Sequence, residues 1–129
     1  MPTFSSISQA RLATCHPDLQ KLFSTVIQFW DCSVTAGFRN KADQDAAYHD
    51  GKSTKPWPQS KHNSTPSMAV DVYPYPIDFN DEKRMYAFAG FVLGIATSLH
   101  LNIRWGGDWN QDHQVKNETF IDLPHFELV

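Results

Sequence analysis

The sequence predicts an α+β fold in which helices pack against a small antiparallel sheet. Two strong helical patterns cover residues 17–30 and about 82–100, whereas the β-prone runs are short and fall mostly in the later part of the chain. Helices that come first and strands that come later are typical of this class. A chain of 129 residues without an internal repeat or linker predicts one domain over residues 1–129.

The chain is predicted to begin with two helices. Ser6, followed three residues later by Gln9, resembles a capping box and predicts a short helix that ends before Pro17. Pro17 suits the first position of the second helix. The apolar residues of that helix recur at three- and four-residue spacing, which predicts a face packed in the core. They are Leu19, Leu22, Phe23, Val26, Ile27 and Trp30.

Turn residues divide the middle of the chain. Ser33–Ala36 is predicted to be a short strand that ends in a turn at Gly37. Lys41–Asp50 is predicted to be a helix, with Gly51 as its C-terminal cap. Residues 52–67 are rich in Ser, Pro, Lys and Asn and are predicted to be a loop.

The second half contains the central strand and the longest helix. Met68–Tyr73 is predicted to be the central strand, stopped by the prolines that follow it. Asn80 or Asp81 is predicted to cap a helix of about residues 82–100. Its predicted core residues are Met85, Phe88, Ala89, Val92, Ala96 and Leu99. Asn102–Trp105 and Pro124–Leu128 are predicted to complete the sheet.

Composition excludes several classes of function. The net charge of −3 and pI of about 6.0 argue against a nucleic-acid-binding surface. No apolar run is long enough to span a membrane, and the first residues lack the features of a signal peptide, so we expect the protein to accumulate in the cytoplasm without a membrane anchor. Cys15 and Cys32 are too few for a disulfide framework, and we expect two free thiols, with a single disulfide as the alternative.

Four polar residues stand out because of where they lie. Asp71 sits within an apolar, β-prone run, where a buried carboxylate requires a strong partner. His62 precedes it in the loop, and His125 lies on the terminal strand with Asp122 three residues before it. Two histidines and one carboxylate form a three-ligand zinc site with an open fourth position. Asp122 would then be the general base.

These residues lie in four blocks that resemble the VanY-like zinc peptidases. The blocks are Ser60-x-His62, Ala69-Val70-Asp71, Trp105-Gly106-Gly107-Asp108-Trp109 and Asp122-x-Pro124-His125-Phe126-Glu127. An upstream segment, Gly37-Phe38-Arg39, resembles another motif of the family, so the resemblance extends over about residues 34–129. The family comprises D-alanyl-D-alanine carboxypeptidases and phage endolysins that cleave L-alanyl-D-glutamate bonds. It shares a small α+β fold with Hedgehog-type domains.

The resemblance implies a zinc ion held by His62, Asp71 and His125, with Asp122 as the base. Glu127 and Asp108 are the fallback candidates for that role. The interval from His62 to Asp71 is nine positions (71 − 62 = 9) and is longer than in many family members. The extra residues lie within 63–67, where a turn-rich segment absorbs length at little cost, so we expect the loop to differ and the ligands to be retained.

The resemblance also assigns Arg39 to substrate binding or to stabilisation of the oxyanion. A guanidinium suits both roles because it stays charged and donates from a fixed fork. Ser60 and Gln59 are candidates for orienting the site or binding substrate. Aromatic residues are expected to wall the cleft, and they are Tyr73, Trp105 and Trp109.

Two other readings compete with a zinc peptidase. Two histidines and a carboxylate also form the iron(II) oxygenase triad, but the spacing here is wrong and the strands are too few for a barrel. A zinc-stabilised binding module without turnover would need neither Asp122 nor Arg39. Among the peptidases, the absence of an export signal favours a monomeric phage endolysin, released from the cytoplasm to act on the peptidoglycan stem peptide, over a D-alanyl-D-alanine carboxypeptidase.

Overall fold

The computed structural model describes residues 2–129 and confirms the α+β class. Four α helices lie within these residues, and they are α1 (Ser6–Leu12), α2 (Pro17–Val26), α3 (Lys41–His49) and α4 (Glu82–Ser98). The strands are β1 (Cys32–Ala36), β2 (Ala69–Pro74), β3 (Ile103–Trp105) and β4 (His125–Leu128). They form one antiparallel sheet in the order β1-β2-β4-β3. None of the helices described is long and apolar enough to cross a bilayer.

Most helix ends lie where the capping residues predict them. Pro17 occupies the first turn of α2, and Asp81 caps α4 by accepting a hydrogen bond from the Arg84 N–H. Gly51 adopts a left-handed backbone (φ 75°) directly after α3, as a C-terminal glycine should. The cap of α1 is Ser5 and not Ser6, because the Ser5 side chain accepts from the Ser8 N–H.

Two predicted helices end earlier than expected. Helix α2 stops at Val26, so Trp30 follows the helix and packs against the edge of the core. Helix α4 stops at Ser98 because His100 has a positive φ of 59° and the Leu101 N–H returns to the Ala96 carbonyl. The prediction that Leu99 faces the core is therefore wrong, since it occupies the half-buried cap position.

The core lies between one face of the sheet and helices α2 and α4. Phe126 of β4 meets Phe23 of α2 and Phe88 of α4 edge to face, with ring centroids 5.5 and 6.4 Å apart. Val70 and Val72 of β2 are fully buried on the same side. Successive residues of a strand point to opposite faces, so Asp71 between these valines points to the other side. The carboxylate in the apolar run thus marks the functional face of the sheet.

The long interval between His62 and Asp71 is accommodated by a short 3-10 helix, Lys61–Asn63, which sequence reasoning assigned to the loop. Beyond it, Ser67 exchanges backbone hydrogen bonds with Thr14 and His16. Ser67 therefore anchors the end of this segment to the junction of α1 and α2, while residues 64–66 are exposed.

Candidate metal centre and its cavity

Three donor atoms converge on the functional face of the sheet. His62 Nε2, Asp71 Oδ1 and His125 Nδ1 lie 3.3 Å from one another in every pairing. Asp71 and His125 are register partners on β2 and β4, and the 3-10 helix brings His62 to them. The structure thus brings together all three residues that the sequence nominates as ligands, and they could hold a metal ion.

The outer nitrogen of each histidine ring is fixed by an acceptor. His62 Nδ1 donates to the Gly37 carbonyl at 2.8 Å, and His125 Nε2 donates to Glu127 Oε1 at 2.8 Å. Gly37 must be glycine because a Cβ there would collide with the Arg11 carbonyl and the Thr14 hydroxyl. When each ring is neutral and carries its proton on the outer nitrogen, the inner nitrogen directs a lone pair toward Asp71. Metal-binding histidines are usually oriented in this way.

The electrostatics of the cluster favour a positive charge at its centre. Oδ1 of Asp71 is buried without a hydrogen-bond partner in the described part of the chain. Burial alone would raise the pKa of Asp71, but the His125 and His62 rings outweigh it and lower the pKa below its usual range. Burial would likewise lower the pKa of His125, but the Asp71 and Glu127 carboxylates raise it to about 9.

Glu127 supports His125 from the adjacent position on the same face of β4. Its Oε2 accepts from Arg104 Nε and Nη2 at 3.1 and 2.8 Å and lies 3.2 Å from Lys61 Nζ. Although burial raises the pKa of Glu127, the hydrogen bonds from His125 and Arg104 lower it to about 2. Both oxygens are engaged, which argues against Glu127 as the fallback base. Glu127 follows His125 by two positions on one strand, so both side chains point to the same face. This spacing could have predicted the contact.

Asp122 lies directly beside this three-residue cluster. Its Oδ2 is 3.8 Å from His125 Nδ1, and the side chain lines the cavity. Burial and the negative charge of Asp71 raise the pKa of Asp122 to about 6. The Asp122 N–H donates to the carbonyl of Gly106, where a Cβ would collide with the Asp122 carbonyl. Asp108, the other fallback base, lies outside this cavity and accepts from the Asp112 and His113 N–H groups.

Arg39 reaches the cluster from the segment after β1. Its Nη2 lies 3.5 Å from Asp71 Oδ2, and its Nη1 donates to Gln44 Oε1 at 3.0 Å. Ser60 caps the 3-10 helix by accepting from the His62 N–H, and it also lines the cavity. Gln59 is exposed and is not part of the lining.

A cavity of about 800 Å³ opens above the three donors. Trp109 forms one wall, with its ring 5.2 Å from that of His125 and stacked on Phe120, and Tyr73 lies on another. The prediction that Trp105 walls this cleft is wrong. The alternation of β3 turns Trp105 into the core and directs Arg104 to the cavity.

Sequence reasoning missed several residues of the cavity rim. Lys52 and Lys55 follow α3 and line the cavity without an ion-pair partner among residues 2–129. Phe79 and Ile121 add exposed apolar surface. The sequence indicated these residues only through their position in loops next to the recognised motifs.

The domain combines a buried cluster of two histidines and one carboxylate with a further carboxylate beside it. This combination is typical of metal-dependent hydrolases. Comparison with known proteins makes this specific. The family profile described as phage L-alanyl-D-glutamate peptidase matches residues 2–129. The chain belongs to this family, which confirms the resemblance.

Two relatives are similar over almost the whole chain. An L-alanyl-D-glutamate peptidase of Escherichia phage T5 is 30% identical over 135 residues, which cover 98% of this chain and 97% of the relative. The crystal structure of the Serratia marcescens L-Ala D-Glu endopeptidase ChiX aligns with a TM-score of 0.76 at 25% identity. That alignment covers 98% of this chain and 90% of ChiX.

Proposed function

We propose that this protein is a zinc-dependent peptidoglycan peptidase, a phage endolysin that cleaves the L-alanyl-D-glutamate bond of the stem peptide. The observation that carries the proposal is the triangle of His62, Asp71 and His125 donor atoms with Asp122 beside it. The names of both relatives support this bond over the D-alanyl-D-alanine bond.

The donor triangle fits zinc in both size and chemistry. Corners of a tetrahedron that lie 3.3 Å apart are about 2.0 Å from its centre, the usual zinc–nitrogen and zinc–oxygen distance. Two imidazoles and one carboxylate leave the fourth position open, which is typical of catalytic zinc. Bound zinc would lower the pKa of a water molecule and polarise the scissile carbonyl.

Asp122 would transfer the proton that hydrolysis requires. It accepts a proton from the attacking water and passes it to the nitrogen of the departing D-glutamate residue. The C–N bond breaks, leaving a carboxylate on L-alanine and an amine on D-glutamate. Asp122 suits both halves of this transfer, because a carboxylate beside the metal ligands can accept a proton and then release it.

Arg39 would bind the substrate or the negative charge that develops on the carbonyl oxygen. Its guanidinium borders the cavity and lies against Asp71. A fixed cation at that point stabilises developing charge without having to reorganise. A binding module without turnover would have no use for this arginine or for a free Asp122.

The charge and size of the cavity suit an anionic peptide. A volume of about 800 Å³ is within the range of ligand sites and accommodates several residues. Lys52 and Lys55 supply positive charge at its rim. The stem peptide carries free carboxylates around D-glutamate, so we assign these lysines to the substrate side of the cleft.

We further propose that one domain of 129 residues acts as a monomer. We also propose that it accumulates in the host cytoplasm and reaches the wall after release. Size-exclusion chromatography with light scattering tests the monomer, and a dimer at micromolar concentration would contradict it.

Digestion of purified peptidoglycan followed by mass spectrometry tests the reaction. We expect glycan fragments that end in L-alanine and peptides that begin with D-glutamate. A chelator should abolish the formation of both products, and added zinc should restore it. Release of free D-alanine would instead identify a carboxypeptidase. Unchanged peptidoglycan at all zinc concentrations would support a binding module.

A further inference from the structure

Gln44 of α3 is a fully buried glutamine beside the cavity. Its Oε1 accepts from Arg39 Nη1 at 3.0 Å and from Asn63 Nδ2 at 3.1 Å. Its Nε2 donates to the Ser53 hydroxyl at 3.0 Å and to the Lys55 carbonyl at 2.6 Å. All the hydrogen-bonding capacity of the amide is therefore used.

Only an amide satisfies these four partners together. The two groups that face Oε1 are donors, and the Lys55 carbonyl that faces Nε2 is an acceptor. A methionine of similar length would leave Arg39 Nη1 without this acceptor. It would also remove one of the two partners of Asn63 Nδ2 and of the Lys55 carbonyl. Buried polar networks of this kind fix geometry when every member is satisfied.

Arg39 is the network member that faces the reaction site. One side of its guanidinium meets Gln44 and the other meets Asp71. An arginine side chain has many rotamers, so a contact on each side restricts it far more than one. Without Gln44, Asp71 alone would hold it, and the proposed zinc ion would compete for that carboxylate.

We propose that Gln44 is a positioning residue that fixes the guanidinium of Arg39 in the orientation needed for turnover. This inference rests on the proposed peptidase function. Gln44 is buried and does not line the cavity, so it acts through Arg39. Its bond to Asn63, a neighbour of His62, offers a second route through the metal site, which the experiment must separate.

A double-mutant cycle tests the inference. Gln44→Met is made in the wild type and in Arg39→Ala, and kcat, KM and zinc content are measured well below the melting temperature. We expect Gln44→Met to lower kcat about 10- to 100-fold in the wild type, the usual cost of losing a supporting contact. In the Arg39→Ala background it should cost less than about twofold, because the residue it positions is absent. Zinc content should not change.

Two further variants guard against a general loss of structure. Gln44→Glu keeps an acceptor for Arg39 and should retain more activity than Gln44→Met. Gln20 donates a similar amide hydrogen bond to the Cys15 carbonyl outside the cavity, so Gln20→Met is the matched control and should keep wild-type kcat.

A readout without turnover is the ¹⁵N relaxation of the Arg39 guanidinium. It should be ordered in the wild type and mobile in Gln44→Met, and equal order in both would overturn the inference. An equal loss of activity in both backgrounds, or loss of zinc from Gln44→Met, would also overturn it. If the wild type is inactive but its Arg39 guanidinium is ordered, the proposed peptidase function is wrong. The contact by which Gln44 positions Arg39 would still stand.

Discussion

Asp71 and His125 are direct partners across strands β2 and β4, and their facing atoms Oδ1 and Nδ1 are 3.3 Å apart. The two residues are far apart in the chain, and the sheet register brings them together. The pairing holds their backbones in place whether or not an ion is bound. Because β2 and β4 are the two inner strands, both residues stand on the most constrained part of the sheet.

Removal of zinc should destabilise the folded protein. We expect one zinc ion per chain and a lower melting temperature after chelation, because an ion that binds only the folded state adds its binding free energy to stability. His62→Ala should lose zinc and show the same shift. Elemental analysis and calorimetry measure both, and stoichiometric iron would contradict the assignment.

Asp122→Asn should separate metal binding from turnover. All three zinc ligands remain, so zinc content and melting temperature should stay near those of the wild type. Peptidase activity should fall by about 10²- to 10⁴-fold, the usual contribution of a positioned acid–base group. If Asp122→Asn remains an active peptidase, another group is the base.

Glu127→Gln should weaken zinc binding while the fold is retained. The neutral amide is a weaker acceptor for His125 Nε2 and loses the ion pair with Arg104. Loss of such outer contacts typically costs about 10- to 100-fold in metal affinity. Competition with a chelator measures it, and Glu82→Gln, exposed at the start of α4, is the control. Equal affinities for the two variants would show that Glu127 does not support the site.

The double substitution of Lys52 and Lys55 by alanine should raise KM for the stem peptide and leave kcat nearly unchanged. Exposed ion pairs contribute about 0.2–1 kcal/mol each, so for two lysines we expect roughly a 2- to 30-fold increase that shrinks at high salt. Alanine at Lys21 and Lys83, both exposed outside the cavity, is the matched control. A salt-independent effect would argue against a charge contact.

The cysteines should be inert in the native protein and sensitive to alkali. Burial raises the pKa of Cys15 to about 11 and that of Cys32 to about 12, from an ordinary 9.0, and both thiols are free. Thiol reagents at pH 8 should therefore react only as the chain unfolds.

Because the unfolded thiols ionise first, their contribution to stability is present below about pH 9 and is lost as the pH rises toward 11 and 12. Melting temperatures between pH 8 and 11 measure this loss, which should be smaller in Cys32→Ala. Rapid labelling of the folded protein, or an identical pH profile for Cys32→Ala, would contradict the burial of these thiols.

The sequence alone determined the class of fold, the order of the elements and the nomination of His62, Asp71 and His125. Those conclusions depend on local chemistry. Apolar spacing identifies helices, prolines and glycines end them, and a carboxylate in an apolar strand requires a partner. The errors at helix ends were also local, because the competition between Ser5 and Ser6 for a cap, or the place where α4 ends, depends on single hydrogen bonds.

Only the tertiary structure decided which atoms meet. The engagement of Glu127 with Arg104, the turn of Trp105 into the core and the four hydrogen bonds of Gln44 depend on strand order, register and packing. A shift of register by one residue would send each strand side chain to the opposite face, and no local pattern specifies the partner strand. Residue types can therefore nominate a site, whereas the contacts that orient it exist only once distant segments pack together.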